Sequence, residues 1–420
     1  MALETTFNTG SSNVVNQCQS CNNPDLSSIL FLGYMPPVND FRPLGERPKE
    51  QMSYPAELLY CSQCNLVQLG LVVDSKVLFP HEYPYTSSTT KVLRENFVEL
   101  YQECTTLVSL SHDELVIDIG SNDGNLLSNF KDNHRVLGIT PEKVGEIAIQ
   151  RGIPTLKDYF TTESVQKVHK EYGLAKLITA TNVFAHIEDI NTVTKNIVGL
   201  LKDKGVFISE SHYLYRLIET LQYDTIYHEH QRYYSIHSLE HLLNTNGLEI
   251  FHAKEIPSHG GSIRVYAARH GDYPIQSSVN QLLTMEKNVV TEPASFTAFA
   301  QRVSQSKLDF LALLHDIKKT GARIYGIGAP SRGTTLASYT GIDEHIVEAV
   351  MEVSGSHKIG KYIPGTLIPV REETKLFTDQ PEYALLFSWH ITDEIAPKLK
   401  QKGFKGKYII PLPNPRILKS

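Results

Sequence analysis

Leu115-Val116-Ile117-Asp118-Ile119-Gly120-Ser121-Asn122-Asp123-Gly124 is the stretch on which the reading of the fold turns. Four apolar side chains and one carboxylate, ended by a glycine turn, read as a strand buried on both faces. Glycines at the carboxyl end of such a strand let the backbone approach a ligand closely. Apolar segments of the same kind recur at residues 136–139, 177–180 and 206–209, while residues 125–130 open one helix and 144–151 form another. That alternation predicts a parallel sheet covered by helices on both faces. A second series, at residues 323–327, 349–353, 383–387 and 408–410, predicts a second α/β domain. Residues 293–314 between them read as helix, with Pro293 where a first turn tolerates it.

Upstream the pattern is different. Cys18-x-x-Cys21 and Cys61-x-x-Cys64 are two close pairs, and Cys104 stands alone in an apolar helical pattern. In a reducing compartment such pairs read as a tetrahedral thiolate zinc site, each pair chelating from a tight knuckle, and Cys104 as a packed core thiol. Between the knuckles, residues 32–41 and the turn over 43–48 read as short strands and loops in which metal supplies much of the order. A polar aromatic loop, residues 81–90, then precedes a helix over 92–105, its hydroxyl residues suiting an N-cap.

A net charge of -6 argues against a nucleic-acid-binding protein held by a broad basic field. No apolar run approaches the roughly 20 residues that span a bilayer, and residues 1–16 lack a basic and an apolar signal region, so a cytoplasmic protein without a membrane partner is expected. A monomer is expected. No repeat of solenoid period and no low-complexity segment is present.

The densest chemistry lies in Tyr223 to Ser235, Y-D-T-I-Y-H-E-H-Q-R-Y-Y-S. Two imidazoles, a carboxylate and several phenols are open to three readings: metal binding by His228 and His230, a solvated turn, or proton transfer. Further on, Gly326-Ile-Gly328-Ala-Pro330-Ser331-Arg332-Gly333 follows a strand and opens a helix, a geometry whose amides can face a diphosphate with Arg332 nearby.

Taken in order, the two knuckles, Y-P-Y-T-S-S, D-I-G-S-N-D-G, N-V-F-A-H-I, Y-H-E-H, His259-Gly-Gly-Ser-x-Arg264 and G-x-G-A-x-S-R-G resemble the zinc-containing sugar C-methyltransferases. These methylate nucleotide-linked 4-keto-6-deoxy sugars, and the resemblance runs from about Cys18 to Trp389. It implies a zinc-binding module over residues 1–80, a class I S-adenosylmethionine-dependent methyltransferase domain over 81–255, and a Rossmann-like nucleotide-sugar domain over 256–420. Zinc is implied as structural and held by the four cysteines; no redox cofactor is called for.

The resemblance also implies site residues. Asp118, Gly120, Asn122, Asp123 and Gly124 would hold the methionine portion of the donor. Thr140 stands where such enzymes place an acidic ribose ligand, so either affinity is lower or Glu142 compensates. Asp158 is a candidate for the adenine amine, and Asn182 and His186 lie where the fourth strand meets the substrate. Methyl transfer to carbon, commonly C3, requires loss of a proton next to the C4 ketone. His230 would be the general base, Glu229 would orient or polarise it, and Tyr227 with Tyr85 would bond the sugar hydroxyl or developing oxyanion. His228 is left a supporting residue. His259, Gly260, Arg264 and Arg332 would reach the sugar or its diphosphate, with Lys358, Gly360, Pro364 and Gly365 in a second ordered loop. Trp389 fits the family's aromatic strand end, although an asparagine is more usual than His390 beside it. A sugar O-methyltransferase and a zinc-dependent nucleic-acid-binding protein with a degenerate methyltransferase fold are the rival readings.

Overall fold

A computed structural model of the chain describes residues 12–46, 51–79 and 91–418. The amino-terminal module is built on an antiparallel hairpin of β1 (Leu26–Met35) and β2 (Tyr54–Cys61), continued by β3 (Val67–Leu69). Alternate residues of β2, Ala56, Leu58 and Tyr60, are buried, as expected for strands with one apolar face. That face packs with Phe296, Phe299 and Leu336 from later helices in one hydrophobic cluster. The expectation of short strands ordered mainly by metal is therefore corrected: β1 alone has 10 residues, and shared apolar packing holds the sheet. The loop over residues 81–90, with Tyr85 and the hydroxyl N-cap, lies outside the described residues.

Helix α1 (Lys91–Leu107) buries Leu93, Phe97, Leu100 and Cys104 along one stripe, so Cys104 is a core thiol. The middle sheet follows: β4 (Leu115–Ile119), β5 (Arg135–Ile139), β6 (Thr155–Leu156), β7 (Ala175–Thr181) and β8 (Leu201–His212) are all parallel. Every residue of β4 is buried, which is why it reads as a continuous apolar run. The short strand β9 (Arg232–Tyr233) leaves this sheet and pairs with β3 of the amino-terminal module. A hairpin of β10 (Leu248–Ile256) and β11 (Ser262–Arg269) completes the middle sheet, in the order β10-β11-β8-β7-β4-β5-β6. This is the class I methyltransferase arrangement, and it carries the sheet past the division expected at residue 255, to Arg269. The order reverses between β4 and β7, so a ligand crevice opens at their carboxyl ends.

Helices α2 (Ser277–Val290) and α3 (Pro293–Lys319) lead to the last domain, α3 starting at Pro293 as expected and running on to Lys319. There β12 (Ile324–Ile327), β13 (Ala349–Glu352), β14 (Val370–Glu372), β15 (Tyr383–Leu386) and β16 (Lys407–Ile410) are parallel, with β17 (Arg416–Leu418) antiparallel at the edge. The order β14-β13-β12-β15-β16-β17 is that of a Rossmann sheet, reversing between β12 and β15. Helix α4 (Ser331–Thr340) begins at this second reversal. Among the described residues no helix is long and apolar enough to cross a membrane.

Candidate active site

The register of the first hairpin sets Leu26 opposite Cys61, and so brings together two knuckles that are distant in sequence. Sγ of Cys18 lies 3.4 Å from that of Cys64, Cys21 lies 3.6 Å from Cys61, and all four are within 4.8 Å of one another. Tetrahedral thiolates about 2.3 Å from zinc stand about 3.8 Å apart, so the cluster fits this metal. The Ser20 amide and the Asn23 side-chain amide donate to Cys18 and Cys61, the outer bonds that fix thiolate ligands. Zinc held by these four cysteines would supply order to the knuckles.

At the crevice between β4 and β7, Gly120 has φ +71, and a Cβ there would lie 2.7 Å from Val183; Gly124 has φ +75 and meets Ile153 at 2.7 Å. Asp118 is buried and accepts the Thr179 hydroxyl at 2.6 Å; burial pushes its carboxyl up to about 7. Asp123 is also fully buried, and its carboxylate is paired with Arg151 at 3.1 Å, so that side chain braces the turn. Asn122 adopts φ 51 in the same turn. Thr140 donates its hydroxyl to the carboxylate of Glu142, which places an acidic group at the end of β5 after all. Asp158 lies beyond the edge strand β6, half-buried, and accepts the Tyr159 amide at 2.9 Å. Ser121 Oγ, Asn125 Nδ2 and Asn182 Oδ1 are buried here without a partner, the mark of a crevice shaped for a polar ligand.

The segment Tyr227 to His230 is wedged between modules. Its solvated-turn reading is excluded, because His228, Glu229 and His230 are 2%, 3% and 7% exposed. Nε2 of His228 meets the carbonyl of Pro55 in β2 at 3.1 Å, so His228 anchors the segment to the amino-terminal sheet. Glu229 accepts the Asn39 side-chain amide at 2.7 Å. His230 Nδ1 meets the carbonyl oxygen of Thr225 at 2.9 Å. A carbonyl can only accept, so Nδ1 carries the proton and Nε2 keeps its lone pair. Thr225 thus orients the ring, a partner that sequence could not supply because it is a backbone atom. Burial, aided by His186, His259 and Arg332, lowers the His230 pKa to about 3, while the Thr225 bond opposes this. The Tyr227 ring lies 4.2 Å from that of His230, and burial with the Glu229 charge raises its phenol well above the ordinary range.

Three further imidazoles gather around His230. Ring centroids lie 5.1 Å away for His186 and 4.8 Å for His212, and His259 stacks on His212 at 5.4 Å. His259 has φ 56 between Pro257 and the positive-φ pair Gly260 and Gly261; a Cβ on Gly260 would strike Gln222 at 2.6 Å. His212 had no motif to announce it, and its position at the carboxyl end of β8 was the available signal.

Two arginines read as diphosphate ligands are committed elsewhere. Arg264 is fully buried on β11, bonded to Glu210 at 2.6 Å, Glu103 at 2.5 Å and Asn96 at 2.8 Å, so it ties α1 to the sheet. Arg332 makes a two-pronged ion pair with Asp224, both bonds 2.9 Å, and also bonds Gln222 and His390. Trp389 adds its indole N–H to Asp224 at 2.8 Å. In the glycine turn after β12 the Ala329 amide donates to Glu352 at 3.0 Å, and Lys358 donates to the Ala329 carbonyl at 2.7 Å. Burial lowers the Lys358 pKa, against the pull of Glu352 and Glu229. The Arg332 and Trp389 bonds to Asp224 tie the start of α4 and the chain just past β15 to the segment that carries His230.

Three family models match in tandem: a zinc binding domain over residues 18–79, a methyltransferase domain over 94–253 and a C-methyltransferase C-terminal domain over 257–413. The chain is an S-adenosylmethionine-dependent C-methyltransferase. It is 29% identical to the C-methyltransferase NovU of Streptomyces niveus over 411 residues, 96% of this chain and 97% of that one. Among solved structures it matches an S-adenosylmethionine-dependent methyltransferase from Clostridium acetobutylicum, with 15% identity, 44% of this chain and 94% of that chain covered, and a TM-score of 0.34. The N-methyltransferase NodS of Bradyrhizobium japonicum with S-adenosyl-L-homocysteine matches at 15% identity, covering 44% and 90%, with a TM-score of 0.34. In the methyltransferase the unpartnered atoms of Ser121, Asn125 and Asn182 and the glycine cradle fit the donor, with Glu142 available to its ribose hydroxyls.

Proposed function

We propose that this methyltransferase acts on a nucleotide-linked 4-keto-6-deoxy sugar, adding a methyl group to C3 through an enolate. S-adenosylmethionine supplies an electrophilic methyl group when bound. The observation that carries the reading is the state of His230: a neutral imidazole, Nδ1 fixed by Thr225, with the free lone pair of Nε2 in a buried site. Such a group accepts a proton from carbon once the ketone has acidified it, and needs no prior deprotonation at neutral pH. Tyr227 keeps its proton and is suited to donate a hydrogen bond to the enolate oxygen. Tyr85 is assigned the same task by its place in the motif. Glu229, held by Asn39 and near Lys358, and the loop of His259 and Gly260 would position the sugar. Asp118, Gly120, Asn122, Gly124, Thr140 with Glu142, Asp158, Asn182 and His186 form the donor side. The second crevice, closed by the Asp224–Arg332 pair, would receive the nucleotide.

Incubation with methyl-labelled S-adenosylmethionine and a panel of 4-keto nucleotide sugars tests the reading. The expected product carries its methyl on a quaternary carbon by NMR; a methoxy signal would make the enzyme an O-methyltransferase. His230→Ala is expected to abolish deuterium wash-in at the sugar carbon with donor binding retained. Normal exchange in that variant would remove His230 as the base.

A further inference from the structure

His212 is a half-buried imidazole that no sequence motif singles out. It closes a row His186, His230, His212, His259, with successive centroids 5.1, 4.8 and 5.4 Å apart. Nδ1 of His186 and Nε2 of His259, at the two ends of the row, are buried and unpartnered. Burying a polar atom without a partner is costly, so a row with orphans at both ends calls for a task beyond packing. The groups that face His212 are His230, His259, Arg332 and His186, all bases or cations, and burial with these neighbours holds His212 well below the usual imidazole range. At rest, therefore, the row holds no excess proton and can accept one in passing.

The base itself needs such a route. Nδ1 of His230 is tied to Thr225, so a proton taken up at Nε2 cannot leave through the other ring nitrogen. We propose that His212 and His259 relay the proton removed by His230 out to solvent at the seam with the carboxy-terminal domain. This rests on the enolate reading. The carbon–hydrogen bond breaks, its electron pair passes into the enolate and finally into the new carbon–methyl bond, and the donor's carbon–sulfur pair stays on sulfur. The proton passes from His230 Nε2 to His212, then to His259, then to water; one proton leaves per turnover and His230 returns as a free base. Centroid separations near 5 Å suit transfer through one bridging water at each step.

The experiment compares two rates in the full-length enzyme. The first is washout of deuterium from C3 of a thymidine-diphosphate-linked 4-keto-6-deoxyhexose with S-adenosylhomocysteine bound. The second is single-turnover methylation of the same compound. Washout needs the abstracted proton to escape, whereas methylation commits the enolate before escape matters. In His212→Gln and His212→Ala washout is expected to fall while single-turnover methylation is largely kept, so that the washout-to-methylation ratio drops at least tenfold, and added imidazole is expected to restore washout in His212→Ala. A purely structural role would lower both rates together. An unchanged ratio in a His212 variant that still binds S-adenosylhomocysteine overturns the relay alone; if neither variant folds, His259→Gln is read by the same criterion. Absence of washout in the wild type overturns the enolate reading and the relay with it.

Discussion

Replacing Arg332 by Met separates two roles that the sequence left together. As a diphosphate ligand, Arg332 would cost substrate affinity and little stability. In the structure its guanidinium is 6% exposed and its partner carboxylate 0%, with both bonds at 2.9 Å and a third carboxylate bond from Trp389. Removing one member of a buried, doubly bonded ion pair leaves an uncompensated charge and costs about 3–5 kcal/mol. That is roughly two to three and a half powers of ten in the population of the docked domain. Trp389 is the single tryptophan of the chain and bonds Asp224 directly, so its fluorescence reports this junction and nothing else. Urea titration followed at Trp389 should show a lower midpoint for Arg332→Met and for Asp224→Leu. The double variant should recover at least about 1.5 kcal/mol of the summed loss, as coupled neighbours do. A midpoint unchanged in Arg332→Met, together with a raised KM for the nucleotide sugar, would refute the clamp and return Arg332 to the substrate.

Four other outcomes follow from single observations. The acid limb of kcat/KM should lie below about pH 5: the His230 pKa is lowered to about 3, so the free base persists as pH falls past the ordinary imidazole value of about 6.5, and a pH–rate profile reads this directly. Gly120→Ala places a Cβ 2.7 Å from Val183 at φ +71 and should cost about 2–4 kcal/mol of stability by thermal or urea unfolding, with loss of donor binding by calorimetry. Glu142→Gln should weaken S-adenosylmethionine by roughly tenfold in the same calorimetry, since a charged acceptor is worth about 1.5–3 kcal/mol and the amide keeps only part of it. Cys61→Ser should bring bound zinc close to zero by metal analysis and open the knuckles to proteolysis, with activity lost in step; loss of activity while the module still resists protease would contradict a structural zinc.

Residue type was legible in the sequence far more often than direction. The run at 115–119, the two knuckles and the glycine turns each carry a local signature, because burial on both faces, paired thiolates and positive φ restrict what can stand there. The hairpin of β10 and β11 was not read, since antiparallel strands at a sheet edge share no period with the parallel series before them. The arginines show the limit most clearly. Arg264 and Arg332 follow glycine-rich turns where a cation suits an anionic ligand, yet each faces a carboxylate brought from a remote segment, Glu210 in one case and Asp224 in the other.

The same remoteness explains why the segment that carries His230 cannot hold its geometry alone. His230 is oriented by Thr225, five residues back, but the turn holding both is pinned by Pro55 and Asn39 from the zinc-bearing module and by Arg332 from the last domain. Two pins come from the amino-terminal module and one from the last domain, so His230 is in register only when both flanking modules are docked. The amino-terminal sheet packs its apolar face on α3, in one cluster with Val350 and Leu385 of the last domain. Loss of zinc would therefore reach His230 through Asn39 and Pro55 and not through any electrostatic route from the metal.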